Sequence, residues 1–193
     1  ERWGTTAPNT TDDYTGLWVK QQFGRLSEAQ QEQMKEILTD YTRIIHKCRP
    51  EALKPETYHA VNYREGSRVL AEAGQVMQAA QKLYDELERV APEMIPAYVS
   101  LVWYPAMGTM NVLKLNVLSG MNHYLAQLGA LSANDYAKEA AECLRADHRI
   151  IEQYHRADDA RWYGMGLSQH IGFVNWNEDE CKNPLLMQVL PLQ

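Results

Sequence analysis

Two Glu-x-x-His quartets have residue types and spacing that could hold a transition metal: Glu56-Thr57-Tyr58-His59 and Glu152-Gln153-Tyr154-His155. On a helix this spacing turns a carboxylate and an imidazole to one face. Di-iron carboxylate bundles combine two such quartets with a glutamate from each of two further helices. Here the second quartet lies in a helical pattern, with Glu152 at the edge of the apolar stripe, while the first follows Pro55 in a connector. No glutamate interrupts the apolar stripes of the third and fourth helical patterns. The residues favour a solvated glutamate and a half-buried histidine in each quartet, and no metal ligand or cofactor is assigned. Glycoside hydrolysis asks for two carboxyls at a defined separation, one with a raised pKa. Glu28, Glu32, Glu36, Glu86, Glu88, Glu139 and Glu142 instead fall on polar helix faces. Asp158-Asp159 stands where a helical pattern fades, although a helix C-terminus disfavours acids. Cys48, between Lys47 and Arg49, has neighbours that would lower a thiol pKa, yet a helix-end cysteine is more often structural. With no Gly-x-Ser-x-Gly elbow and no Gly-rich phosphate loop, no catalytic residue is assigned.

Sugar recognition has a better compositional match. Between Arg161 and Asn177 the rings of Trp162, Tyr163, Phe173 and Trp176 alternate with Ser168, Gln169, His170 and Asn175. Flat rings give apolar platforms, and amides and imidazoles give directed hydrogen bonds. His170, Asn175 and Trp176 are the candidate sugar-facing residues. The same composition also suits a strip packed against the bundle or a neighbouring domain.

The elements that must position these residues read as helices nearly throughout. Thr11 with Asp12 and Asp13 opens a first helix, with Tyr14, Leu17 and Trp18 on one face and Gly24 as terminator. Ser27 and Gln30 form a capping-box pattern before Met34, Ile37, Leu38, Tyr41, Ile44 and Ile45, which recur at helical spacing. That run ends near Arg49-Pro50, and a connector without clear period follows to about Val61. Asn62 and Glu65 then form a second capping pattern ahead of a long stripe from Val69 to Val90, whose spacing suits antiparallel packing. A fourth helix from Ala97 to about Leu128 is apolar on more than one face, as a central helix is, with Pro105 and Gly108 expected to kink or break it and Gly129 to end it. Ser132 and Asp135 open a fifth, with Tyr136, Ala140, Leu144, His148, Ile151 and Tyr154 or His155 inward. From Ala160 to Gln193 the period is lost. The expectation is an all-α antiparallel bundle of about five helices with an irregular aromatic C-terminal tail over residues 160–193.

Composition narrows the partners. The chain has 193 residues and a net charge of −6, from 25 acids against 19 bases, which argues against a nucleic-acid binder. No stretch of 18 residues lacks polar side chains, so no membrane-spanning helix is expected. Cys48, Cys143 and Cys181 match neither a zinc pattern nor a CxxC motif. The chain opens on Glu1 without methionine and stops after Pro191-Leu192-Gln193, so residues 1–193 are expected to be a single domain of a longer protein.

A set of short motifs in a fixed order resembles the helical region of glycoside hydrolase family 115, the xylan α-1,2-glucuronidases. The stretches are Trp18 with Gln22-Phe23-Gly24, Arg49-Pro50-Glu51-Ala52-Leu53, and Tyr58 with Asn62-Tyr63-Arg64-Glu65. Then come Tyr98 with Leu101-Val102-Trp103-Tyr104-Pro105, Ser132-Ala133-Asn134, and His170-Ile171-Gly172-Phe173 to Trp176. They span about Trp18 to Trp176. The resemblance implies a multidomain parent in which this bundle follows a catalytic barrel and precedes a β-sandwich. Such a parent releases glucuronic acid or its 4-O-methyl ether from xylan side chains. Its catalytic acids would lie in the barrel, outside this chain, and no cofactor is called for. The partners implied are the remaining domains of the parent and xylan-derived carbohydrate, and a homodimeric parent is compatible. A secreted or periplasmic parent would fit, but the compartment stays open. The sequence departs from the family at Met165-Gly166-Leu167-Ser168-Gln169-His170, where relatives carry an aspartate, and at Asn175-Trp176-Asn177-Glu178. A helical interaction module without a catalytic parent, and a metal-binding bundle, are the alternative readings.

Overall fold

The computed structural model describes residues 11–165, 171 and 184–191. Among these residues the fold is all-α, with five helices. They are α1 (Thr11–Phe23), α2 (Glu28–His46), α3 (Glu65–Val90), α4 and α5 (Ala133–Arg156). Helix α4 is a rod of three successive segments, Ile95–Tyr98, Val99–Trp103 and Tyr104–Gln127.

Neighbouring helices run antiparallel, as the pairing of their residues shows. Along α4 and α5, Asn122 meets Ala133, Asn111 meets Cys143 and Tyr104 meets Tyr154, so one sequence rises as the other falls. The ion pair Lys47–Glu72 and the hydrogen bond Gln30–Glu86 set the same relation between α2 and α3. Helix α4 lies in the middle. Its Tyr98, Val102, Trp103, Met110 and Val117 join a core with Phe23, Met34, Ile44, Ala73, Val76 and Leu83. Its Val112, Leu115 and Leu118 face the other way, onto Ala140, Cys143 and Ile171.

Local signals set most helix ends. Ser27 caps α2: its Oγ accepts the Gln30 N–H at 3.3 Å, and the Gln30 side chain accepts the Ser27 N–H at 3.0 Å. Gly129, at φ +68°, ends α4. Its own N–H donates to Ala126 O, and that of Ala130 donates to Leu125 O, the two bonds of a Schellman turn.

Four local expectations are corrected. On α1 it is Val19 and Phe23 that are buried, while Tyr14 and Leu17 are exposed, because α2 packs on the side next to Trp18. Asn62 does not cap α3. The residue before that helix is Arg64, left-handed at φ +53°, and no side chain caps it. The turn is organised instead by His59, whose Nδ1 accepts the N–H groups of Val61 and Asn62 at 3.0 and 2.9 Å. Glu65 accepts the His59 N–H at 2.8 Å. In α4 neither Pro105 nor Gly108 breaks the rod. A π-turn over Val99–Trp103 lies immediately ahead of Pro105 and takes up the irregularity that a missing N–H creates. On α5 the buried line is Ala133, Ala137, Ala140, Cys143, Asp147, Ile150 and His155; Ala140 and His155 are buried as expected, but between them the line is one position round from the expected one, and His148 is exposed. Small residues let α4 approach closely enough for Asn111 Nδ2 to reach the Cys143 carbonyl at 2.9 Å.

One contact is closer still. A Cβ on Gly120 would lie 2.0 Å from the Pro55 carbonyl oxygen, so the connector crosses α4 where only hydrogen fits. Around Gly74 and Gly108 such a Cβ meets nothing within 4 Å. Thermal and denaturant unfolding should show Gly120→Ala destabilised by about 1–3 kcal/mol through backbone displacement, with Gly74→Ala and Gly108→Ala stabilised by about 0.5–1 kcal/mol. Equal effects at the three sites would refute the close crossing.

Tyr98 gives a second expectation. It is fully buried, its hydroxyl donates to Ala80 O at 2.8 Å, and burial holds its pKa far above the ordinary tyrosine value. A native pKa above the unfolded one stabilises the protein fully below about pH 10, and that contribution is lost as pH rises beyond it. Stability measured from pH 8 to 11.5 should fall at the alkaline end, and Tyr98→Phe should flatten that fall. An unchanged slope in the variant would exclude Tyr98 as its source.

Candidate functional site

A cleft of about 1020 Å³ opens where α5 ends beside the α3–α4 turn. One wall is apolar: Tyr84 from α3, Pro92 from the turn, and Ile95, Pro96 and Val99 from the start of α4. The facing wall is polar, with His148, Arg149, Glu152, Arg156, Asp158 and Asp159. A row of rings runs into it from the core. Tyr104 and Tyr154 stack at 4.2 Å and 17°. His155 lies 5.9 Å from Tyr154 and 4.9 Å from Tyr163. His155 is buried, whereas Tyr163 is exposed and lines the cleft. The Tyr104 hydroxyl has a raised pKa, first from burial and then from the carboxylate of Asp147 and from Tyr154.

Two of the cleft's carboxylates, Glu152 and Asp158, pair with arginines. Glu152 accepts from Arg156 Nε at 2.5 Å, and Asp158 faces Arg161 at 3.1 Å. Glu142 binds both Arg149 and Arg145, and their hydrogen bonds hold its carboxyl below the usual range. At Glu142 this guanidinium pairing favours the ionised carboxylate, which suits it poorly to donating a proton. The exposed face of Tyr163 beside these fixed charges suits a polar ring with hydroxyl groups.

The two Glu-x-x-His quartets are not brought together. His59 packs edge-on to Tyr124 near the far end of α4, whereas His155 lies at the cleft, which Val99 lines. From Val99 to Tyr124 the rod rises about 38 Å at 1.5 Å per residue. Among the described residues, no three His, Cys, Asp or Glu side chains converge as metal ligands. Nor is any described helix long and apolar enough to cross a membrane. Cys143 is buried, and burial raises its thiol pKa. The candidate sugar-facing residues His170, Asn175 and Trp176 lie outside the described residues.

The position of Asp158-Asp159 now has a physical account. The α-helix ends at Arg156, and Asp158, Asp159 and Ala160 are left-handed, at φ +53°, +52° and +61°. Aspartate tolerates this region better than most residues, so the pair, immediately after the C-cap Ala157, turns the chain away from the helix. Tyr163 gave a signal within the aromatic strip. The cleft's other wall gave none, because its residues, between Tyr84 and Val99, are far in sequence from those they face, between His148 and Tyr163.

Comparison with family models and with curated proteins finds no match for the chain.

Three successive non-glycine residues at positive φ store strain at the cleft's edge, of the order of 1 kcal/mol or more each. Ala160 has no side-chain bond to offset it. Ala160→Gly should raise the melting temperature by about 2–4 °C. An unchanged or lower value in calorimetry would mean that the turn is unstrained.

Proposed function

We propose that this chain is the accessory helical domain of a glycoside hydrolase that removes glucuronic acid or 4-O-methylglucuronic acid from xylan side chains, with the catalytic acids supplied by another domain. The observation that carries this reading is the ordered set of family-115-like motifs over Trp18 to Trp176. The work done by those motif residues supports an accessory role. Trp18 meets Phe23 edge-on at 6.2 Å, and Pro50–Ala52 forms a 3₁₀ turn in the connector. Tyr98 and Trp103 are buried and hydrogen-bond to Ala80 O and Gln81 Oε1, and Asn134 anchors the chain's last described segment. These are framework tasks, not acid–base chemistry. The arginine pairing of Glu152 and Asp158 beside the cleft agrees with them. The aromatic face of Tyr163 gives the domain a surface for one wall of a carbohydrate cleft.

The test is uronic acid release from glucuronoxylan, assayed with the full-length parent and with the isolated 1–193 chain. Release by the parent alone is expected. Equal specific activity from both would place catalytic acids within this chain, and no release from either would end the assignment. In the parent, Trp176→Ala and Tyr163→Ala should raise KM with little change in melting temperature. A lost buried Trp typically costs about 3–5 kcal/mol, so a collapse in stability at unchanged KM would mark packing residues.

A further inference from the structure

Residues 184–191 lie along the α4–α5 face, and what holds them there is main chain, not side chain. Asn122 closes a two-point ring on Met187: its Nδ2 donates to the Met187 carbonyl at 2.8 Å, and its Oδ1 accepts the Met187 N–H at 2.7 Å. Asn134 repeats the ring on Val189, with both bonds at 2.8 Å. Ser119 Oγ donates to the Leu185 carbonyl at 3.5 Å, and His123 Nε2 faces the same oxygen. Residues 185, 187 and 189 are alternate positions, and alternate residues of an extended chain present their N–H and C=O groups to one side. The helices thus offer the segment what a neighbouring β-strand would offer.

The side chains of the segment contribute much less. Leu185 and Leu190 are 72 % and 83 % exposed, and Met187 is 38 % exposed. Leu186 packs against the cluster of Val112, Leu115 and Leu118. The reading groups, by contrast, are fixed in advance. Asn122 is fully buried, and its Nδ2 also donates to the Ala133 carbonyl at 2.8 Å, which sets the amide's orientation before any segment arrives. An amide held in this way, with a second one in register two residues further along, is a device for binding extended peptide through its backbone.

We propose that the α4–α5 face is a peptide-binding groove that reads extended main chain through Asn122 and Asn134. Its ligand is the segment Pro184–Pro191, bound here in cis and equally acceptable when supplied in trans. Specificity comes from conformation and from one apolar side chain at the Leu186 position, so peptides of the same extended, apolar kind fit. This inference is independent of the carbohydrate reading, because it concerns the opposite end of α4 from the cleft.

The test uses the full chain and a fluorescent peptide of sequence Pro-Leu-Leu-Met-Gln-Val-Leu-Pro. The peptide is titrated into the wild type and into a variant whose residues 184–191 are replaced by glycine and serine at equal length. The replaced chain should bind the peptide, and the wild type should bind it about tenfold or more weakly, since the tethered segment competes at high effective concentration. Adding Asn122→Ala and Asn134→Ala to the replaced chain should weaken binding by about tenfold or more. So should methylating the peptide nitrogens at the Met187 and Val189 positions, whereas changing those two side chains to alanine should not. Absence of binding to a folded replaced chain, or full binding of the methylated peptide, would overturn the proposal. If circular dichroism shows the replaced chain unfolded, hydrogen exchange on the wild type decides. The Met187 and Val189 amides should be protected, and Asn122→Ala and Asn134→Ala should free them while helical amides stay protected. Free exchange of both in the wild type would overturn the clamp.

Discussion

Helix α4 has almost no face that it can show to water, and the rest of the fold follows from that. Tyr98, Val102, Trp103, Met110 and Val117 are buried on one side, and Val112, Leu115 and Leu118 on the other. Removing such side chains from water stabilises by about 1.5–3 kcal/mol each, and no single partner helix can cover both sides. Helices α1, α2 and α3 cover one, and α5 with Leu186 and Ile171 covers the other. Antiparallel order lets most consecutive helices do this with short turns; the exception is the connector between His46 and Glu65, which crosses α4 at Gly120.

A central helix brings a second demand. Polar groups on it lose water and must find partners inside, since an unpaired buried donor or acceptor costs about 1–3 kcal/mol. Asn111 and Asn122 meet the demand by donating to carbonyls of α5, at Cys143 and Ala133. Each such bond requires the α5 backbone to come close, which explains alanine at 133, 137 and 140. Polar pairing and small-residue packing are thus one arrangement: the amides fix the register and the alanines permit the distance.

Much of this was readable in the residues. The five-helix pattern, the Ser27–Gln30 box and the Gly129 stop all rest on local chemistry, and they hold. The failures share a different cause. Asn62-Tyr63-Arg64-Glu65 has the spacing of a capping pair, but Tyr63 and Arg64 are left-handed, and the imidazole of His59 takes the role of the cap. The α5 stripe is rotated by one residue because the close approach of α4 selects small side chains for the contact and moves Tyr136 and Leu144 to its flanks. In the fourth helix Asn111, Ser119 and Asn122 count as interruptions of an apolar pattern, although they lie on one face and are its most informative residues. Periodicity reports what is apolar, whereas a clamp or a cleft depends on which distant elements meet. The candidate positions His170, Asn175 and Trp176 rest on composition and resemblance alone.

The rod also sets a length. Val99 borders the cleft, and Asn122, 23 residues further along, grips the main chain of Met187. At 1.5 Å per residue these points are about 35 Å apart. Beyond the π-turn, the helix between them is packed on both flanks, which resists bending. Cleft and clamp are therefore two marks on one ruler. Whatever is tethered at the clamped end is presented at a nearly constant distance from the cleft, whichever way the connecting chain turns.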